Sequence, residues 1–260
     1  MLRALSFALV LFMSIPAFAG ETLTYNDGSA TLEGYFAKAE GVADNAAAPT
    51  VLIVHQWKGL SDNEKMRADM LAKAGYNAFA IDMYGKGVRP TTDQEAWTEA
   101  TKYKDDPALA RRRLNAALDY VKTLSGVDDS RIAIIGYCFG GTMALELARS
   151  GADIAAAISF HGGLSTKAPV TEKGIVKAAI QVHHGADDPM VPHEEVQAFT
   201  QEMNNAGADW MLTMYSGAVH AFTQKEAGND PSKGVAYNEK ADSRSWAAAL
   251  DFLEAALKKR

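Results

Sequence analysis

Apolar and polar positions divide the chain into short segments of two kinds. Leu23 and Tyr25, and then residues 31–37, alternate with polar neighbours on either side of Asn26-Asp27-Gly28-Ser29, which predicts an N-terminal β-hairpin. Four later stretches are predominantly apolar, without strict alternation: residues 50–54, 76–81, 132–135 and 154–160. Runs of this length without alternation are expected of strands covered on both faces. Residues 178–183 and 210–215 predict two further strands. Between them lie helical patterns over residues 62–74, 91–104, 107–124, 193–206 and 238–258, and one that follows Cys138 and stops near Ser150-Gly151. Ser61-Asp62-Asn63-Glu64 marks one start, Asp106-Pro107 another, and Gly75 an end. Residues 41–49 form a small, alanine-rich connector, and residues 126–130 turn the chain into the strand that begins at Ile132. Strands alternating with helices predict an α/β fold, a mostly parallel sheet with helices on both faces.

The first residues follow another rule. Met1-Leu2-Arg3 carries one positive charge, residues 4–15 are almost wholly apolar, and Ala17-Phe18-Ala19 places small residues where a signal peptidase reads. This is the pattern of a cleaved secretory signal over residues 1–19, too short in its apolar run to serve as a stable membrane anchor. Residues 20–260 then form one domain, and the expected location is the periplasm. A net charge of −6, with no clustered basic patch, argues against nucleic acid as a partner. The single cysteine, Cys138, has no partner within the chain for a disulfide, so a free thiol in an oxidising compartment needs another reason. None of the six histidines falls in a His-x-x-x-His or clustered-carboxylate pattern, so no metal or other cofactor is expected.

That reason is supplied by the surroundings of the cysteine. Ile132-Ala133-Ile134-Ile135-Gly136-Tyr137-Cys138-Phe139-Gly140-Gly141 is an apolar strand meeting Gly-x-Cys-x-Gly, with a helical pattern directly behind it. This is the strand–turn–helix setting of a nucleophile elbow. In a parallel sheet functional groups collect at the carboxyl ends of strands. Asp188 and His220 follow later strands, in the order nucleophile, acid, histidine. Asp187 competes with Asp188, and the Asp-x-x-Val-Pro register favours the latter. An imidazole beside a thiol lowers its pKa and returns a proton to the leaving group; a carboxylate on the other ring nitrogen fixes the tautomer. The backbone N–H groups of Phe139 and Trp57 are the expected oxyanion donors. Tyr84 and Phe222 are candidates to shape the pocket, and His55 and His161 stand at its mouth or behind it.

These segments together resemble the dienelactone hydrolase family of the α/β-hydrolase superfamily. The matching stretches are 51–60, 80–85, 136–141, 185–192, 220–223 and 236–246. The resemblance implies Cys138 as nucleophile, Asp188 as acid and His220 as base. It implies hydrolysis of a small ester or lactone through an acyl–cysteine intermediate. It also exposes departures. Gln56 stands where well-studied members carry a glutamate that primes the cysteine. Lys86 and Gln224 stand where the family's dienelactone enzymes clamp the substrate carboxylate with two arginines. An amide cannot take a proton from a thiol, and a lysine is a point charge rather than a bidentate fork. The alternative reading is a non-catalytic small-molecule binder on a hydrolase scaffold.

Overall fold

The computed structural model describes residues 18–258 apart from Ser29 and Asp44. The signal segment therefore lies, up to Ala17, outside the described residues. Among those described, the chain forms one eight-stranded sheet in the order β1-β2-β4-β3-β5-β6-β7-β8. The strands are β1 (Glu21–Asn26), β2 (Thr31–Ala37), β3 (Ala48–Val54), β4 (Asn77–Ile81), β5 (Val127–Tyr137), β6 (Ala156–Phe160), β7 (Ala179–Gly185) and β8 (Trp210–Tyr215). β1 and β2 are the predicted hairpin, and β2 pairs antiparallel with β4. From β4 onward neighbouring strands are parallel, with Val51 opposite Ala133 and Ile53 opposite Ile135 at the sheet centre.

The helices are α1 (Asp62–Lys73), α2 (Asp93–Asp105), α3 (Pro107–Lys122), α4 (Phe139–Arg149), α5 (His193–Ala206) and α6 (Glu239–Ala256). Their starts have local causes. Ser61 and Glu64 close a capping box on α1, Thr92 and Glu95 do the same on α2, and Asp106 caps α3 ahead of Pro107. No described helix is long and apolar enough to cross a membrane.

The period of two along the strands sorts the core into two layers. Val51, Ile53, Ala133 and Ile135 face Leu71 of α1 and Leu253 of α6. Leu52, Val54 and Ile134 face Leu114 of α3, Met143 of α4 and Phe199 of α5. Each fully buried Leu or Ile of these layers contributes about 1.5–3 kcal/mol relative to exposure, which is why consecutive strand residues are apolar rather than alternating.

The largest departure of a strand boundary from the sequence expectation is at β5. β5 begins at Val127, within the stretch expected to be a turn, because Val127 pairs with Ala48 ahead of a register shift between Ala48 and Thr50. Pairing with a neighbouring strand overrides the turn preference of Asp128-Asp129-Ser130.

Candidate active site

β5 runs straight into Cys138, which has φ 53° and ψ −117° and sits as the residue capping α4. A non-glycine residue in this conformation is strained. Its glycine neighbours allow the strand and helix to meet. A Cβ on Gly136 would collide with the carbonyl of Gly140, and one on Gly140 would lie 2.7 Å from the carbonyl oxygen of His55. The sharp turn leaves Cys138 half-buried, with its sulfur beside the β8 loop.

That loop brings His220 to the sulfur. His220 Nε2 lies 3.0 Å from Cys138 Sγ, and Nδ1 lies 2.9 Å from Asp188 Oδ2. Asp188 is buried, and its other oxygen accepts the backbone N–H of Met190 at 2.8 Å. Asp187 points to solvent, so the geometry selects between the two aspartates. Burial disfavours a charged His220, but the Cys138 thiolate and the hydrogen bond to Asp188 outweigh it and raise its pKa to about 10. Burial likewise pushes the Cys138 thiol up. The charge of His220, its hydrogen bond, the N–H of Phe139 and the charge of Lys104 reverse this and hold it below the ordinary thiol value. Both shifts favour a thiolate facing an imidazolium over the neutral pair.

A second histidine stands behind the elbow. His161 follows β6 at φ 41° and is wholly buried. The backbone N–H of Cys138 is shared between the carbonyl of Phe160 at 3.0 Å and Nδ1 of His161 at 3.2 Å. The other ring nitrogen therefore carries the proton and donates to Thr223 Oγ1 at 2.8 Å. Burial and the nearby charge of His220 keep His161 neutral, well below the ordinary imidazole pKa. With Ala221, at φ 58°, Cys138 and His161 are the non-glycine residues of positive φ among those described. All three lie in the site, and nothing in the residue pattern announces the last two.

The loop after β3 forms the opposite wall. His55 is fully buried, accepts the Met83 N–H at 3.1 Å through Nε2 and donates from Nδ1 to the Gln56 carbonyl at 2.5 Å. Burial lowers its pKa to about 4, so it is a neutral packing group against Tyr84 and Phe139. The hydroxyl of Tyr84 donates to the Trp57 carbonyl at 2.8 Å, which orients the peptide plane of that loop. Gln56 donates to Glu64 at 3.5 Å, and Glu64 is itself buried and accepts from Ser61 at 2.9 Å.

One pocket candidate is placed differently from expectation. Phe222 is completely buried and packs against His161 and Tyr215, because the loop carrying His220 folds back over the sheet end. It supports the site from behind and does not line a pocket. Lys86 is exposed and paired with Glu33 at 3.1 Å. The side-chain nitrogen of Gln224 is buried without a hydrogen-bond partner among the described residues. The structure therefore offers no two-armed cationic clamp at these positions. Among the described residues no cluster of three or more His, Cys, Asp and Glu is arranged to hold a metal ion.

With this geometry in hand, the comparisons with known proteins agree. A dienelactone hydrolase-like promiscuous phosphotriesterase from metagenomic libraries is 35% identical with a TM-score of 0.85, over 92% of this chain and 98% of its own. A Caenorhabditis elegans uncharacterized protein is 38% identical over 145 residues, 55% of this chain and 92% of its own. A protein of Aquifex aeolicus named "Putative carboxymethylenebutenolidase" is 26% identical over 243 residues, 92% of this chain and 100% of its own. The model of the dienelactone hydrolase family matches residues 32–257, so the chain belongs to that family, within the α/β-hydrolase superfamily, and is a dienelactone hydrolase-like carboxylic ester hydrolase.

Proposed function

We propose that the protein hydrolyses a small carboxylic ester or lactone by way of an acyl–cysteine intermediate, with Cys138, His220 and Asp188 as nucleophile, acid–base and orienting carboxylate. The observation that carries this reading is the unbroken chain Sγ···Nε2 at 3.0 Å and Nδ1···Oδ2 at 2.9 Å. The thiolate attacks the carbonyl carbon, and the oxygen becomes an oxyanion facing the N–H groups of Phe139 and Trp57. The C–O bond to the alcohol breaks as the carbonyl re-forms, and Nε2–H of His220 supplies the proton the alkoxide needs. His220, now neutral, takes a proton from water; the hydroxide attacks the thioester, and the thiolate leaves. In a lactone the alcohol remains attached, so the product is a hydroxy acid. Gln56 cannot act as a base, and none is required of it, because the imidazole already holds the thiol's proton.

The test is intact-mass detection of an acyl adduct after mixing with an activated small ester. Wild type is expected to gain one acyl mass on Cys138. Cys138→Ala is expected to gain none and to lose turnover by about 10³-fold or more. Undiminished turnover in that variant would overturn the reading.

A further inference from the structure

We propose that His55 is a positioning residue for the reaction: it aims the backbone N–H of Trp57 at the oxyanion by fixing the Gln56 carbonyl of the same peptide unit. This rests on the reading of Cys138 as nucleophile and goes beyond it by naming what holds the second donor in place.

The loop after β3 lies against the elbow. Val54 pairs with Gly136, a Cβ on Gly140 would lie 2.2 Å from the Val54 carbonyl oxygen, and the His55 ring stacks on that of Phe139 with centroids 5.9 Å apart. Gln56, Trp57, Lys58 and Gly59 form a turn in which the Gly59 N–H donates to the Gln56 carbonyl at 3.1 Å, with Gly59 at φ 87°. A trans peptide unit is planar, and its C=O and N–H point to opposite sides. Whatever holds the Gln56 carbonyl toward the buried imidazole therefore turns the Trp57 N–H away from it. That N–H has no hydrogen-bond acceptor among the described residues. The other expected donor, the N–H of Phe139, already acts on the Cys138 sulfur.

Two donors converge on the Gln56 carbonyl, and the shorter bond is that of His55 Nδ1 at 2.5 Å. The tautomer follows from the other side of the ring. Nε2 faces the backbone N–H of Met83 at 3.1 Å, which can only donate, so the ring proton sits on Nδ1. Met83 follows β4, and the imidazole thus bridges the ends of two neighbouring strands through backbone groups at both nitrogens. Burial lowers its pKa to about 4 and preserves this arrangement; a second ring proton would confront the Met83 N–H. The next peptide unit is pinned as well, by the Tyr84 hydroxyl on the Trp57 carbonyl at 2.8 Å. Burial, then the charges of Glu99 and Cys138, push the Tyr84 phenol up, so it stays a donor. The influence of Cys138 on that phenol puts the loop within reach of the reacting sulfur.

The test separates the two ring nitrogens. In His55→Asn the side-chain amide reaches the place of Nδ1 and still donates to the Gln56 carbonyl. In His55→Gln it reaches the place of Nε2, still accepts from Met83, and leaves the carbonyl to Gly59. Both variants lose the ring, so the packing loss is common to them. With a small activated ester, His55→Gln is expected to lower kcat about thirtyfold or more with KM within about threefold, part of the roughly 10²–10³ that a whole oxyanion donor is worth. His55→Asn is expected to keep kcat within about fivefold of wild type. Alkylation of Cys138 by iodoacetamide displaces iodide from a saturated carbon and builds no oxyanion, so its rate should stay within about twofold in both variants. Equal losses of kcat in the two variants, or labelling that falls in step with kcat, overturn the proposal. Wild type supplies a check independent of how the variants fold: its side-chain ¹⁵N spectrum is expected to show His55 as the Nδ1–H tautomer, and the Nε2–H tautomer overturns the proposal as well. The underlying reading fails separately, if Cys138→Ala keeps its turnover; an acylated Cys138 beside equal losses in the two variants strikes only the role of His55.

Discussion

His220 and His161 sit on two loops at the carboxyl end of the sheet, with ring centroids 5.4 Å apart, and both touch Cys138. His220 meets the sulfur and, through its second nitrogen, a buried carboxylate. His161 meets the backbone N–H of the same cysteine and, through its second nitrogen, a threonine hydroxyl. The first is held protonated and the second neutral. Residue type and depth of burial are nearly the same, so the difference comes from the partners. An anion on both sides offsets the cost of burying an imidazolium; neutral dipoles on both sides do not. The contrast supports the proposal that His220 transfers the proton, while His161 holds the elbow's backbone.

Exchanging the two roles by mutation breaks the comparison if it is wrong. His220→Gln removes the imidazole but leaves a polar side chain, and kcat/KM for a small activated ester is expected to fall by about 10³-fold or more. Iodoacetamide labelling of Cys138 at mildly acidic pH should slow in the same variant, since the thiol loses its proton acceptor. His161→Leu removes two hydrogen bonds and leaves the Thr223 hydroxyl without its donor. It is expected to cost about 1–3 kcal/mol of stability in urea unfolding. Its kcat/KM should fall only about tenfold, through a displaced elbow. Equal losses of activity in the two variants would mean that the rings share the chemistry.

How much of this could be read from residues alone differs between the same two loops. The apolar runs at 50–54 and 132–135, the elbow glycines, and the bounds of α5 and β8 follow from period and turn chemistry, and they lie where expected. Cys138, Asp188 and His220 could be named because each follows a strand in a recognisable order. His161 could be noticed but not assigned. Its role depends on a positive φ and on Thr223, 62 residues away, neither of which leaves a local pattern. Phe222 misled for a related reason. An aromatic two residues past His220 looks like a pocket wall until the loop is seen to fold it beneath Tyr215.

The smallest expected effect sharpens the contrast most, because it separates charge from packing. Burial holds His161 neutral in the fold, whereas in the unfolded chain it titrates near the free imidazole value of about 6.5. Its folded pKa is depressed, so the stability tied to it is present above about 6.5 and is lost as pH falls toward the folded value, where only the unfolded chain takes up the proton. His220 has the opposite sign. Its folded pKa is raised to about 10, so its contribution is complete below about 6.5 and is lost as pH rises through about 10. His55, His183 and His184, also lowered by burial, add to the acid loss in every variant and so cancel in a comparison. His161→Leu should therefore be less stable than wild type at pH values above neutrality, with the gap narrowing on acidification. The narrowing is at most about 1.4 kcal/mol per pH unit, the linkage of one proton. Urea midpoints of the two proteins between neutral and mildly acidic pH measure this directly. Parallel lines would show that His161 takes up a proton in the fold as readily as in the unfolded chain, and that the neutral partners around it do not decide its charge.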